Sequence, residues 1–100
     1  MTARPRHTKP DANQAQLMQD LRDAGLCVLD IHNVGGKVLD ILVIGYSIPL
    51  GREAMVMVEV KPPGLKDDMT VAEYYMTKYH ADCCIVASGL EDVLRWFGRV

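Results

Sequence analysis

The sequence predicts a single-domain α/β fold, a mixed sheet flanked by helices, and three observations carry that expectation. One hundred residues leave room for one hydrophobic core and no second. Helical spacing and β-branched runs alternate along the chain in the order α-β-β-β-α-β-α. The first three strands are joined by turn signals, Gly35-Gly36 and the Pro49/Gly51 segment, whereas a whole helix separates the third strand from the fourth. Hairpins first and a helical crossover last make a mixed sheet. With 49% hydrophobic and 24% charged residues, the composition is that of a globular domain and excludes a disordered or collagenous chain.

The elements follow in order. Residues 1–10 carry Arg4, Arg6, His7 and Lys9 between Pro5 and Pro10, with no apolar periodicity, and read as a flexible basic arm ahead of a domain at 11–100. Asp11 with Gln14 three residues on is a capping-box pattern. Leu17, Met18, Leu21 and Ala24 keep helical spacing until Gly25 ends the helix. Leu26 to Ile31 is the first strand, Val38 to Ile44 the second and Ala54 to Lys61 the third. The third stops at Pro62-Pro63-Gly64, and residues 62–68 form a polar loop. Thr70 caps a helix running to about His80, with Glu73 at the capping-box position. Cys83 to Ala87 is a short fourth strand. Ser88, with Glu91 three residues on, caps a last helix whose apolar face is Leu90, Val93, Leu94 and Phe97.

The charge balance narrows the function. Eleven basic and thirteen acidic residues give a formal net charge of −2, which argues against a basic coat that grips nucleic acid by charge alone. Acidic residues gathered around a metal ion stay compatible with it, because the ion reverses the local sign. Three cysteines with no CxxC pair point to a reducing compartment. Cys83 and Cys84, as strand neighbours, are expected on opposite faces of the sheet. Met1 to Pro10 has no apolar run, and no stretch approaches the roughly twenty apolar residues of a membrane span. The expectation is a cytoplasmic protein without a membrane partner.

The chemistry concentrates on two strands. In the second, Asp40, Leu42 and Ile44 share one face and Leu39, Ile41 and Val43 the other. In the third, Met55, Met57, Glu59 and Lys61 point away from Val56, Val58 and Val60. If the hairpin is symmetric about the Pro49-Leu50 bond, Asp40 falls opposite Glu59, with the two Cβ atoms about 5 Å apart. Facing carboxylates repel unless a cation lies between them. Lys61 supplies one positive charge and a divalent ion supplies two. Mg²⁺ takes oxygen ligands, uses one or two carboxylates and keeps waters, and Lys61 beside it would stabilise a phosphoryl transition state or orient an attacking water. The same letters also fit an edge-strand salt bridge in a small α/β protein without a metal.

Asp40, eighteen residues, then Glu59-Val60-Lys61 resembles the motif of the PD-(D/E)XK nucleases, and the element order resembles that superfamily's restriction-endonuclease-like αβββαβ core. The segments 11–16 (DANQAQ), Leu21-Arg22-Asp23-Ala24-Gly25, Val34-Gly35-Gly36 before Leu39-Asp40, Met69-Thr70, Ser88 and Glu91-Asp92 are similar to small phage endonucleases of the VRR-NUC-like, junction-resolvase-like branch, over about residues 11–97. The resemblance implies Asp40 and Glu59 as ligands of Mg²⁺ or Mn²⁺, with the Val60 carbonyl as a further ligand and Lys61 as the catalytic lysine. It places Gln16 where the branch often has an acidic residue reaching toward the metal, and Glu73 where it often has glutamine. It further implies a phage- or prophage-encoded endodeoxyribonuclease, a homodimer, and branched or junction DNA as substrate. The alternative it leaves is a nuclease-fold protein, weakened or inactive in catalysis, that binds DNA or a partner.

Arg4, Arg6, Lys9, Lys37 and Lys66, with Arg52 as an addition, are the cations available to DNA, and His32 lies just beyond the first strand on the expected metal face. Tyr74, Tyr75 and Tyr79 suit base stacking, although Tyr75 and Tyr79 at helical spacing read first as packing residues. His80, Cys83 and Cys27 lack an evident fourth zinc ligand and read as a turn residue and buried thiols.

Overall fold

A computed structural model describes residues 12–31, 39–66 and 68–100. Among them lie α1 (Ala12–Asp23), β1 (Cys27–Asp30), β2 (Ile41–Ser47), β3 (Arg52–Val60), α2 (Val71–Tyr79), β4 (Cys84–Ala87) and α3 (Leu90–Trp96). The four strands form one sheet in the order β1-β2-β3-β4, with the first two pairings antiparallel and β3-β4 parallel. This is the mixed α/β sheet expected. The Asp11 cap, the Gly35-Gly36 turn and the basic arm lie outside the described residues.

One face of the sheet carries the core. Val43, Ile41, Val56 and Val58 are fully buried beneath Leu17, Met18 and Leu21 of α1 and beneath Val93 together with Phe97, which follows α3. The strand alternation that buries these residues turns Leu29, Tyr46 and Met55 outward, and all three are about half exposed. α1 packs on β1 and α3, α3 on β4, and α2 on β4. Gly25 ends α1 with φ of 87°, the left-handed conformation that glycine adopts without a Cβ penalty.

Four local expectations are corrected. α3 is capped by Gly89, not Ser88, and the cap makes no side-chain hydrogen bond. Starting the helix one residue later puts Asp92, not Glu91, at its third position, and the Asp92 carboxylate accepts the Ser88 N–H at 2.9 Å. Strand β4 opens at Cys84, which leaves Cys83 in the preceding turn, free of the pleat. Their sulfurs therefore lie 4.0 Å apart and do not point to opposite faces. Of the expected buried thiols only Cys84 is buried, while Cys27, on the edge strand, and Cys83 are exposed. Tyr75 and Tyr79 are not core residues: they are 53% and 62% exposed, and no residue of α2 is fully buried.

Candidate active site

The β2-β3 register pairs Ile41 with Val58 and Ser47 with Arg52. This is the register expected from a hairpin centred on Pro49-Leu50, but the regular pairing stops at Ile41–Val58, one residue short of the expected Asp40–Glu59 rung. The ladder changes there. The Asp40 N–H donates to the Val58 carbonyl at 3.0 Å, and the Val60 N–H donates to Asp40 Oδ2 at 2.9 Å. A side-chain oxygen thus fills the place of a backbone acceptor and holds the Asp40 carboxylate over the end of β3. Both acids are buried, Asp40 at 9% exposure and Glu59 at 4%. Lys61, just beyond β3, has its Nζ 3.5 Å from Glu59 Oε2.

Glu73 completes the group. Thr70 Oγ1 accepts the Glu73 N–H at 3.1 Å, and Glu73 Oε1 accepts the Thr70 N–H at 2.9 Å, so the expected capping box is formed. The same Oε1 accepts a hydrogen bond from Lys61 Nζ at 3.1 Å. The cap that starts α2 therefore also positions the lysine.

The electrostatics follow from burial. Removal from water, then the Asp40 charge, then a hydrogen bond with Glu73 push Glu59 from its ordinary 4.5 up to about 8. Glu59 therefore carries a proton at neutral pH. Burial also works against ionisation of Glu73, but the Thr70 N–H, the Glu59 bond and Lys61 outweigh it and hold Glu73 below its ordinary value. Burial likewise disfavours the charged lysine, and Glu73 and Glu59 more than offset it, so Lys61 is raised above 10.5 and stays protonated.

The other expected site residues are placed differently. Gln16 is exposed and donates to Asp20 Oδ1 at 2.8 Å on its own helix, turned away from the acids. The α1 residue that reaches this end of the sheet is Asn13, whose Nδ2 donates to the Lys61 carbonyl at 3.2 Å. Its signal in the sequence is only its place one turn ahead of Leu17. Lys66 pairs with Asp92 at 2.8 Å, so its charge is already matched. Arg52 opens β3, seven residues before Glu59, or about 23 Å away at strand rise. There it lines a separate cleft of about 580 Å³ with Trp96 and Cys83. Arg4, Arg6, Lys9, His32 and Lys37 lie outside the described residues.

Among the described residues no group of three or more His, Cys, Asp or Glu side chains is arranged to hold a metal. Two carboxylates, Asp40 and Glu59, meet at one spot, and the third, Glu73, is engaged by Lys61 and Thr70. Two buried acids with a proton retained between their neighbours form an oxygen donor set short of positive charge. That fits a hard dication such as Mg²⁺, which binds through one or two carboxylates and keeps its waters. No helix among the described residues is long and apolar enough to cross a membrane. The chain matches no family model, no curated protein and no solved structure.

Proposed function

We propose that the protein is a Mg²⁺- or Mn²⁺-dependent endodeoxyribonuclease that hydrolyses DNA phosphodiester bonds, branched or junction DNA included. The observation that carries the reading is the meeting of Asp40, Glu59 and Lys61 at one end of the β2-β3 hairpin. Asp40 and Glu59, with the Val60 carbonyl, would hold the ion. When bound, it neutralises phosphoryl oxygen charge and lowers the pKa of water. The chain's own groups do the rest. Asp40 is held by the Val60 N–H, which fixes its carboxylate over the end of β3 before any ion is bound. Burial first and the Asp40 charge second hold the proton on Glu59, and a cation held between the two acids would oppose that retention. Lys61 is charged at neutral pH and serves as a cation beside the phosphoryl oxygens, not as a base. A homodimer in the cytoplasm of a phage-carrying host fits this reading, because so short a chain has little surface with which to grip DNA.

The Glu73-Lys61 ion pair favours a second reading, a nuclease-fold binding protein in which the lysine is neutralised. A cleavage panel separates the two. Linear, flapped, four-way and single-stranded DNA are offered with Mg²⁺ or Mn²⁺ to the wild-type protein and to Asp40→Ala and Lys61→Ala. Metal-dependent cutting by the wild type alone supports the nuclease. Cutting by Lys61→Ala at the wild-type rate, or none by any form, removes it.

A further inference from the structure

α2 is a helix whose outward face has no partner among the described residues. Val71 is 87% exposed, and Tyr74, Tyr75 and Tyr79 are each at least half exposed. At 100° per residue these positions and Lys78 make one stripe, on the side of the helix opposite Glu73. The rings are already arranged as neighbours. Tyr75 and Tyr79 have centroids 5.0 Å apart, His80 meets Tyr75 edge-on at 5.9 Å, and Lys78 Nζ lies 5.7 Å from the Tyr74 ring centre. The stripe carries a lysine and no acid, although the chain as a whole has net charge −2. The one acid of α2, Glu73, is turned inward to Lys61 and Thr70. A solvent-facing, acid-free row of rings beside a cation is the surface that unpaired bases and their phosphates complement.

We propose that this face is a stacking platform for unpaired nucleotides, so that the substrate is nucleic acid with a single-stranded stretch next to the cut; this rests on the nuclease reading above. The helix is roughly 10–12 Å wide. A stacked strand advances about 3.4 Å per nucleotide. The platform therefore engages bases about three nucleotides from the phosphate held at Lys61. Flaps and other unpaired branches offer such bases, and a continuous duplex does not.

The test is fluorescence anisotropy on the full chain in EDTA, with a short labelled thymidine oligonucleotide and a duplex of the same length. Neither ring belongs to the core, so the Tyr75→Leu/Tyr79→Leu variant is expected to fold, as circular dichroism checks, and Tyr75→Phe/Tyr79→Phe keeps the stacking surface. The wild type and the Phe variant prefer the single strand, and the Leu variant binds it about tenfold more weakly or worse while its duplex binding is unchanged. Equal wild-type binding to both strands, or undiminished single-strand binding by the Leu variant, overturns the proposal. So does a Leu variant altered only in its sedimentation, because the face then holds a second copy of the chain. Cleavage with Mg²⁺ is scored separately. Loss of stacking preference with Asp40-dependent cutting intact defeats the platform alone. Stacking preference in a protein that cuts nothing defeats the nuclease alone.

Discussion

Glu59→Gln is expected to stabilise the metal-free protein, and by more at alkaline than at neutral pH. The folded state holds Glu59 at about 8 against an ordinary 4.5, first because it is buried and then because Asp40 is charged beside it. Between those two values the folded protein keeps a proton that the unfolded chain has released, so stability falls as pH rises through the window. At pH 6.5 the folded Glu59 is still neutral, as glutamine is, but the unfolded chain has already released its proton, so the variant is ahead there too. At pH 8.5 it has ionised in its buried position. The interval from 6.5 to 8 is worth about 2 kcal/mol at 1.36 kcal/mol per pH unit. Glu73 is ionised in both states across that interval, and Cys84, raised from 9.0 to about 11, acts only above it. Urea unfolding followed by circular dichroism, at pH 6.5 and 8.5 in EDTA, reads the difference. The variant should lead at both pH values, and its lead should widen by about 2 kcal/mol at the higher. Saturating Mg²⁺ at about a hundred times its Kd adds roughly 2.7 kcal/mol to the wild type and nothing to the variant. Parallel curves for the two proteins, with no metal linkage, would refute the picture of a buried acid awaiting a cation.

Three further outcomes follow from the geometry. Thr70→Ala removes one half of the capping box and costs about 1 kcal/mol, with amide exchange of residues 71–74 accelerating first, because the other half also holds Lys61. Ser88→Ala is neutral to slightly stabilising by thermal melting, since Ser88 Oγ is buried with no hydrogen-bond partner among the described residues; a loss of 1 kcal/mol or more would mean that it caps α3 after all. Gly98→Ala costs about 2–3 kcal/mol by chemical denaturation. Gly98 has φ of +77°, and an added Cβ would come within 2.5 Å of the Pro49 ring.

The strand register was legible because the Ser47–Arg52 turn is compact and nearly symmetric. The Gly51 N–H closes it onto the Ser47 carbonyl at 2.8 Å, and once the turn is centred, alternation assigns every side chain of β2 and β3 to a face. The Glu59 position follows from that, whereas Asp40 and Lys61, each one residue outside its strand, are set by further bonds to Val58, Val60 and Glu73. The apolar stripe of α1 was legible, since Leu17, Met18 and Leu21 are all buried, but the placing of its polar residues was not. Its inward face includes Gln14, only 5% exposed and donating to Met18 Sδ at 3.9 Å, and a rule that counts apolar letters passes over a buried amide. With Gln14 inward, Asn13 meets the end of β3 and Gln16 turns out to Asp20. The α3 cap failed for a related reason. Ser88-x-x-Glu91 and Gly89-x-x-Asp92 are both good starts, and Asp92, tied to Lys66 as well as to the Ser88 N–H, settles the choice in a way that no local pattern records.

The exposure of α2 and the arrangement of the acids are two sides of one physical fact. A nine-residue helix with no residue in the core is far below the length at which a helix persists in water, so its order must come from its ends and from tertiary contact. Its N-terminal end is the Thr70-Glu73 box, and Glu73 is bonded to Lys61, which sits 3.5 Å from Glu59. Helix order and site order therefore draw on the same bonds. A change that takes Lys61 from Glu73, such as a phosphate competing for the ammonium, weakens one anchor of α2 while leaving the Thr70 cap in place. A ligand spanning the lysine and the outer tyrosines would replace that anchor with contacts of its own. On this arrangement a substrate that reaches only the acids leaves α2 loosened, and one that also covers the rings restores it.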